Sequence, residues 1–326
     1  MDWIDFRFQR LPLVREWAGK NVLLVLLIVL CVALGGAVPA FLSAGNWLLI
    51  LQSSVIVGVM TIGLAIVMIG GGFDLSFAAT MLVCGAISAR FMAGETSDTA
   101  LAIVVAPLAG GAIGFANGAI VVYGGLSPLL ATIANGLIIR ALGVLYVMET
   151  WMEIPAGAKA YLFIGQGSVG GIPFAILVLA ALALIGHVLL AHTTFGRHLY
   201  ASGANPRAAR VAGIDVRRTQ VVAYAICGFC AGVAGIVNVS SVGGLSAVFN
   251  VSYLYDVVTA TVIGGVSFFG GVGTMYGVVL GILILGVLKN AMIIMNLPHY
   301  TQNAVGGVFL IVAIGIDSYL QRLRSR

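Results

Sequence analysis

The residues that could do chemistry are few, and most lie inside long apolar stretches. Asp74 follows a glycine run in Gly70-Gly71-Gly72-Phe73-Asp74-Leu75-Ser76, Arg140 lies in the stretch after Pro128, and Asp256 and Lys289 lie near the ends of two later stretches. Ionisable groups at membrane depth are costly and default to functional candidates. Asp74 followed by a new helical run first reads as a helix N-cap. Asp256 and Lys289 are expected to snorkel or pair, and Asp317 lies near the inner surface. Cys227-x-x-Cys230 has redox or metal spacing, yet no second ligand pair accompanies it. Packing of small residues in a membrane helix is the expectation there and for Cys31 and Cys84. His187, His192, His198 and His299 form no H-E-x-x-H arrangement and read as interfacial.

No phosphate-binding G-x-x-x-x-G-K-[ST] loop occurs, nor a nucleophile turn with serine, histidine and aspartate partners. The expectation is therefore no catalytic residue, no metal site, no cofactor and no enzyme activity in this chain.

The elements that must position these residues are membrane helices. Of 326 residues, 61% are hydrophobic and 8% charged, where a soluble domain carries roughly 25% charged residues. Mean hydropathy is +1.12. There are 44 glycines against roughly 23 at average usage, and glycine lets membrane helices approach closely. The net charge of +5 is no argument for a nucleic-acid partner here; the partner the composition implies is the lipid bilayer, and what matters is where the positive charges sit.

The fold class expected is an all-α polytopic membrane protein with about ten transmembrane helices of roughly 20 residues each. Apolar stretches fall near 21–42, 47–70, 75–93, 99–123, 127–148, 172–191, 220–240, 252–268, 273–295 and 300–320. The stretch 252–268 is short enough to be re-entrant or broken. Residues 1–20 mix Trp3, Phe6, Phe8 and Trp17 with Arg7, Arg10, Arg15 and Lys20, and form a cytoplasmic or interfacial segment. The permease domain covers 21–320, with 192–219 as a cytoplasmic loop, and 321–326 is a cytoplasmic tail. With both termini inside, the arginines of 192–219 and Arg322, Arg324 and Arg326 all face the cytoplasm, and only Arg90 and Lys159 face out. The long loop from Glu149 to Gly171 then lies outside.

The longest polar interruption, Ala191 to Gln220, carries Arg197, Arg207, Arg210, Arg217 and Arg218. Its middle reads as one short helix. Asn205 is a good N-cap, Pro206 suits the first helical position, and Gly213 can take the left-handed closing conformation. Ala208, Val211 and Ala212 share one face, with Arg207 and Arg210 elsewhere. So short a helix is marginal alone and needs something to lie against.

A second glycine break, Gly264-Gly265-Val266-Ser267-Phe268-Phe269-Gly270-Gly271, echoes the first. Gly114 with Asn117 and Pro128, and Gly286 with Asn290 and Pro298, give a looser echo. Together they suggest an internal repeat, and interrupted helices at corresponding places point to a solute path. The candidate path or gate residues are Gly71, Gly72, Asp74, Ser76, Asn117, Gly264, Gly265, Ser267 and Asn290.

From about Trp47 to the C-terminus the sequence resembles the permease subunits of bacterial ABC importers for ribose, xylose, arabinose, galactosides and related carbohydrates. The carrying motifs are Gly71 to Ser76, Gly114-Phe115-Ala116-Asn117-Gly118, and Gly203-x-Asn205-x-x-Ala208-Ala209-x-x-x-Gly213-Ile214. Ile263-Gly264-Gly265-Val266-Ser267 with Gly270-Gly271-x-Gly273-Thr274 completes them. Phe77-Ala78 departs from the family's usual Val-Gly. The resemblance implies a multi-pass protein of the bacterial inner membrane that pairs with a second permease copy or a paralogue. Two cytoplasmic ATP-binding subunits, or one tandem ATPase chain, and a periplasmic or extracellular sugar-binding protein would complete the importer. It gives Gly203, Asn205, Pro206, Arg207, Ala208, Ala209, Arg210, Gly213 and Ile214 an ATPase-coupling role. The alternative is an ion-coupled secondary transporter or channel using Asp74, Asp256 and Arg140.

Overall fold

The computed structural model describes residues 21–92, 98–147, 152–245 and 252–324. The N-terminal segment with Arg7, Arg10, Arg15 and Lys20, residue Glu149, and Arg326 lie outside the described residues. Among the described residues thirteen α-helices run in the order α1 (Val22–Ala37), α2 (Ala44–Ile69), α3 (Phe77–Met92), α4 (Thr99–Gly124), α5 (Pro128–Val147), α6 (Lys159–Gln166), α7 (Phe174–His192), α8 (Thr194–Ala204), α9 (Pro206–Val211), α10 (Val216–Val242), α11 (Ser252–Ile263), α12 (Met275–Ile294) and α13 (His299–Arg324). Two antiparallel pairs of two-residue strands, Met152–Glu153 with Gly244–Leu245 and Ser168–Val169 with Ile172–Pro173, are the β-structure among the described residues.

The helix starts follow the capping rules that the sequence carries. Ser43, Asp98, Thr193, Asp215 and Thr274 each accept a backbone N–H of the first turn of α2, α4, α8, α10 and α12. Six helices are long and apolar enough to cross a bilayer: α2, α4, the Pro128–Leu145 part of α5, α7, α10 and α12. Apolar parts of α1, α3, α11 and α13 are shorter. The 12 residues of α11 reach only about 18 Å, against a hydrocarbon core of roughly 30 Å. The short stretch suspected at 252–268 is thus a half-length helix ending at the second glycine break.

The core is built on α10, which packs on α2, α3 and α4. Glycines set the closest approach: a Cβ at Gly114 would strike the Tyr224 carbonyl oxygen, and Gly228 and Gly110 meet backbone to backbone. This small-residue contact brings α4 and α10 together without a gap. Cys227 and Cys230 are buried free thiols on the opposite side, where Gly63 of α2 admits them. Packing is indeed their first role.

Two polar-looking connections hold structure that hydropathy did not indicate. The loop expected from Glu149 to Gly171 contains α6, whose Tyr161 is fully buried and shares a 2.6 Å hydrogen bond with Ser88 of α3. The interruption after α7 contains α8 as well as the expected short helix α9.

Candidate functional site

The first glycine break begins where α2 ends at Ile69. Gly71 has φ +77°, a conformation that a side chain disfavours, and turns the chain out of the helix. Gly70 NH still bonds back to Ile66, and the Gly70 carbonyl accepts from the Gln220 side chain of α10 at 3.0 Å. Tyr224 clamps the next peptide: its hydroxyl accepts from Phe73 NH at 3.2 Å and donates to the Phe73 carbonyl at 3.1 Å. Leu75 NH donates to Thr132 of α5 at 3.1 Å. Neighbouring helices thus satisfy the backbone groups freed by the break, as the membrane interior requires.

Asp74 is 1% exposed. Its carboxylate oxygen accepts from the backbone NH of Ser76 at 2.8 Å and from the Ser76 hydroxyl at 2.6 Å. It does not cap α3, which starts only at Phe77, so the expected N-cap role is corrected to a tight turn preceding the helix. Ser76 Oγ in turn accepts from the Asn117 amide, and Asn117 Oδ1 accepts from Asn135 at 2.9 Å. One polar chain, Asp74–Ser76–Asn117–Asn135, therefore joins the first break to α4 and α5 inside an apolar bundle. Asn135 was missed as a member because a lone amide in an apolar helix carries no pairing signal.

The second break reaches the same place from the other side. Gly265, Gly270 and Gly271 have φ of +78°, +90° and +74°. Gly271 NH donates to the Ile69 carbonyl at 2.9 Å, and a Cβ at Gly270 would lie 2.7 Å from the Gly71 Cα. Gly264 lies deeper, at the crossing of α11 and α12, where a Cβ would lie 2.8 Å from the Gly277 carbonyl oxygen. Ser267 pairs its NH with the Val272 carbonyl at 3.0 Å and closes the turn.

Gly203 of α8 completes the junction. A Cβ there would collide with the Ile69 carbonyl oxygen and with Gly271 N. One turn earlier, Leu199 is fully buried against Gly70, and the Tyr200 hydroxyl donates to the Gly273 carbonyl at 2.7 Å. Burial pushes the Tyr200 phenol up, which keeps the proton this bond needs. Helix α8 thus touches both breaks at once.

Helix α9 follows directly and matches its sequence reading. Asn205 Oδ1 accepts from Arg207 NH at 3.1 Å and Ala208 NH at 3.0 Å. Pro206 is the first helical residue, and Gly213 has φ +83°. Ala209 is buried, with Ile214 partly so, whereas Ala208, Val211 and Ala212 are exposed, Val211 at 91%. Arg207 and Arg210 are exposed too. The shared apolar face of Ala208, Val211 and Ala212 points away from this chain.

Other candidates lie elsewhere. Asn290 makes reciprocal amide bonds with Asn46 at 2.9 and 3.1 Å, tying α12 to the start of α2, the far end from the junction. Asp256 and Lys289 form an ion pair between α11 and α12. Arg140 is exposed on α5. His187 and His192 stack edge to face at 5.7 Å, and among the described residues no three potential ligands are grouped for a metal.

Comparison with known proteins adds the family. The one described as branched-chain amino acid transport system / permease component matches residues 46–314. The chain belongs to this permease family. The permease is 31% identical over 310 residues to the ribose import permease protein RbsC of Escherichia coli K12, covering 94% of this chain and 96% of that protein. It is 30% identical over 279 residues to RbsC of Bacillus subtilis, covering 86% of each. It is 30% identical over 302 residues to the L-arabinose transport system permease protein AraH of E. coli K12, covering 93% and 91%. No solved structure matches it. The chain is an integral membrane permease subunit.

Proposed function

We propose that this permease carries a sugar or sugar-like solute into a bacterial cell as the membrane subunit of an ABC importer, by alternating access driven by a separate ATPase. The relatives named for ribose import and L-arabinose transport support the sugar class. The observation that carries the mechanism is the continuity from α9 through Gly203 to both glycine breaks.

In this reading the ten apolar helices α1–α5, α7 and α10–α13 are the spans, with both termini cytoplasmic. That orientation puts α8, α9 and the glycine junction on the cytoplasmic side. The exposed face Ala208, Val211 and Ala212, flanked by Arg207 and Arg210, docks on an ATP-binding subunit. Asn205 and Pro206 start this helix, Gly213 ends it, and Ala209 and Ile214 seat it on the permease. Closure of the ATPase pair displaces α9, and α8 moves with it through the short Asn205 connection. Gly203 then shifts the ends of α2 and α11 together, because close-packed contacts transmit displacement. Gly71, Gly72, Asp74, Ser76 and Asn117 form one side of the inner gate, and Gly264, Gly265 and Ser267 the other. Asn290 belongs to the outer end as the partner of Asn46. The corresponding breaks at 70–76 and 264–273 support an internal repeat. The complex is completed by a second permease copy or paralogue, two ATP-binding subunits or one tandem ATPase chain, and an extracellular sugar-binding protein.

The test is purification of the permease from its native membrane in mild detergent, with identification of the chains that accompany it. An ATPase and a solute-binding protein are expected. Intact permease that comes out with neither, and that moves solute without ATP after reconstitution, would contradict the reading.

A further inference from the structure

Far from the glycine junction, α2, α11, α12 and α13 border a partly open cavity of about 200 Å³. Its polar lining includes Ser53 and Ser54 of α2, Tyr253 and Asp256 of α11, Lys289 of α12 and Gln302 of α13. Apolar walls come from Val57, Ile282 and Leu285. At its floor Ser54 packs against the Gly286 backbone, where a Cβ would strike Ser54 Oγ. The volume corresponds to roughly six waters at about 30 Å³ each, which is the scale of one monosaccharide.

The Asp256–Lys289 pair decides what the cavity suits. Asp256 is 7% exposed. A buried pair of this kind is weak evidence for stability, because removing both charges from water offsets their attraction. Inside a membrane protein it marks a place where polar groups are needed. The charges neutralise one another, so the lining offers acceptors and donors without a net field. Such a surface favours a neutral solute with many hydroxyls over an ion. The Ser53 and Ser54 hydroxyls each donate to the Ile50 carbonyl, at 3.0 and 2.7 Å, which leaves their lone pairs as acceptors for a guest. Tyr253 adds an aromatic ring to the wall.

We propose that this cavity is a receiving site for one neutral polyhydroxylated solute of monosaccharide size. It rests on the orientation in the importer reading, which places the cavity in the outer half of the bilayer. Lys289 lies near the outer end of α12, and Ser53 lies on the outer half of α2. Solute released by the binding protein would rest here before the breaks at the other end of α2 open. Asp256 and Lys289 hold hydroxyls there, and no proton or electron is transferred.

The test uses the full chain reconstituted in liposomes with Ser53→Cys, a nearly isosteric change at an exposed position. A membrane-impermeant maleimide labels that thiol, and the rate is measured with D-ribose, D-xylose, L-arabinose, D-galactose or L-leucine present. At least one sugar is expected to slow labelling several-fold, and the double variant Asp256→Asn/Lys289→Met is expected to lose that protection. Protection by leucine alone would assign the cavity to a zwitterion and overturn the proposal, as would no protection by any sugar. Uptake with and without ATP is read separately with the ATPase and binding protein added. ATP-driven sugar import without protection would sink the cavity alone. Protection without ATP-driven import would sink the importer reading and leave the cavity standing.

Discussion

Gly203 rests directly on the carbonyl of Ile69, the last residue of α2, with no room for a β-carbon between them. The same carbonyl accepts from Gly271 NH at 2.9 Å. One peptide oxygen is therefore the meeting point of a span, the second glycine break and the helix that precedes α9. Substituting Gly203→Ala forces backbone apart and is expected to cost roughly 1–3 kcal/mol, as overpacking does. ATP-driven transport should fall further than stability alone explains. Gly170→Ala is the control: its φ of +59° is strained, roughly 1–2 kcal/mol, but its Cβ enters open space. Thermal unfolding in detergent and uptake in liposomes separate the two variants.

Asn205→Ala removes the side-chain N-cap of α9, at about 1 kcal/mol. Amide exchange at Arg207 and Ala208 should accelerate, and retention of the ATPase should weaken. Asn205→Asp should restore both, since a carboxylate caps as well.

Val211→Asp changes a side chain that touches little of its own chain. The unfolding temperature should move hardly at all, while the ATPase is lost on purification. Unchanged ATPase retention would show that this face docks nothing.

Asp256→Asn leaves Lys289 facing a neutral partner, and Lys289→Met leaves a buried carboxylate with no counter-charge. Lys289→Met should destabilise by roughly 3–5 kcal/mol, the usual effect of orphaning a buried charge, and Asp256→Asn by less, because Lys289 is partly exposed. The double change Asp256→Asn/Lys289→Met should recover most of that loss. Denaturation of all three variants in the same detergent checks it.

The Ser202 hydroxyl on α8 is buried and has no hydrogen-bond partner among the described residues. Ser202→Ala should be neutral or raise stability by about 1 kcal/mol, since an unmade bond is what it removes. A loss of stability would reveal a bound water or a partner subunit at that hydroxyl.

The apolar helices were legible because burial in lipid imposes continuous apolarity, a signal that needs no partner. Helix α9 was legible because Asn205, Pro206 and Gly213 act locally. Helix α8 was not: Leu199 and Gly203 fit a face made by Ile69, Gly70 and Gly271, and that face exists only after folding. The amide chain from Ser76 to Asn117 to Asn135 escaped for the same reason, since each residue alone is unremarkable in an apolar helix. Asn290 looked like a gate residue by its distance from a glycine and a proline. The structure makes it a clamp on Asn46, a pairing that no spacing encodes. The apolar face of α9 was legible from its spacing, but not which residue seats the helix on the chain. Ala208, Val211 and Ala212 share a stripe, but the chain buries Ala209 and leaves that stripe outward.

The most direct measurement is sugar uptake into liposomes carrying the permease, its ATPase and its binding protein, with ATP and ion gradients varied independently. The account predicts uptake that requires ATP, ignores a collapsed ion gradient, and falls away when Val211→Asp is introduced. Uptake driven by an ion gradient without ATP, and indifferent to Val211→Asp, would contradict it and favour an ion-coupled transporter.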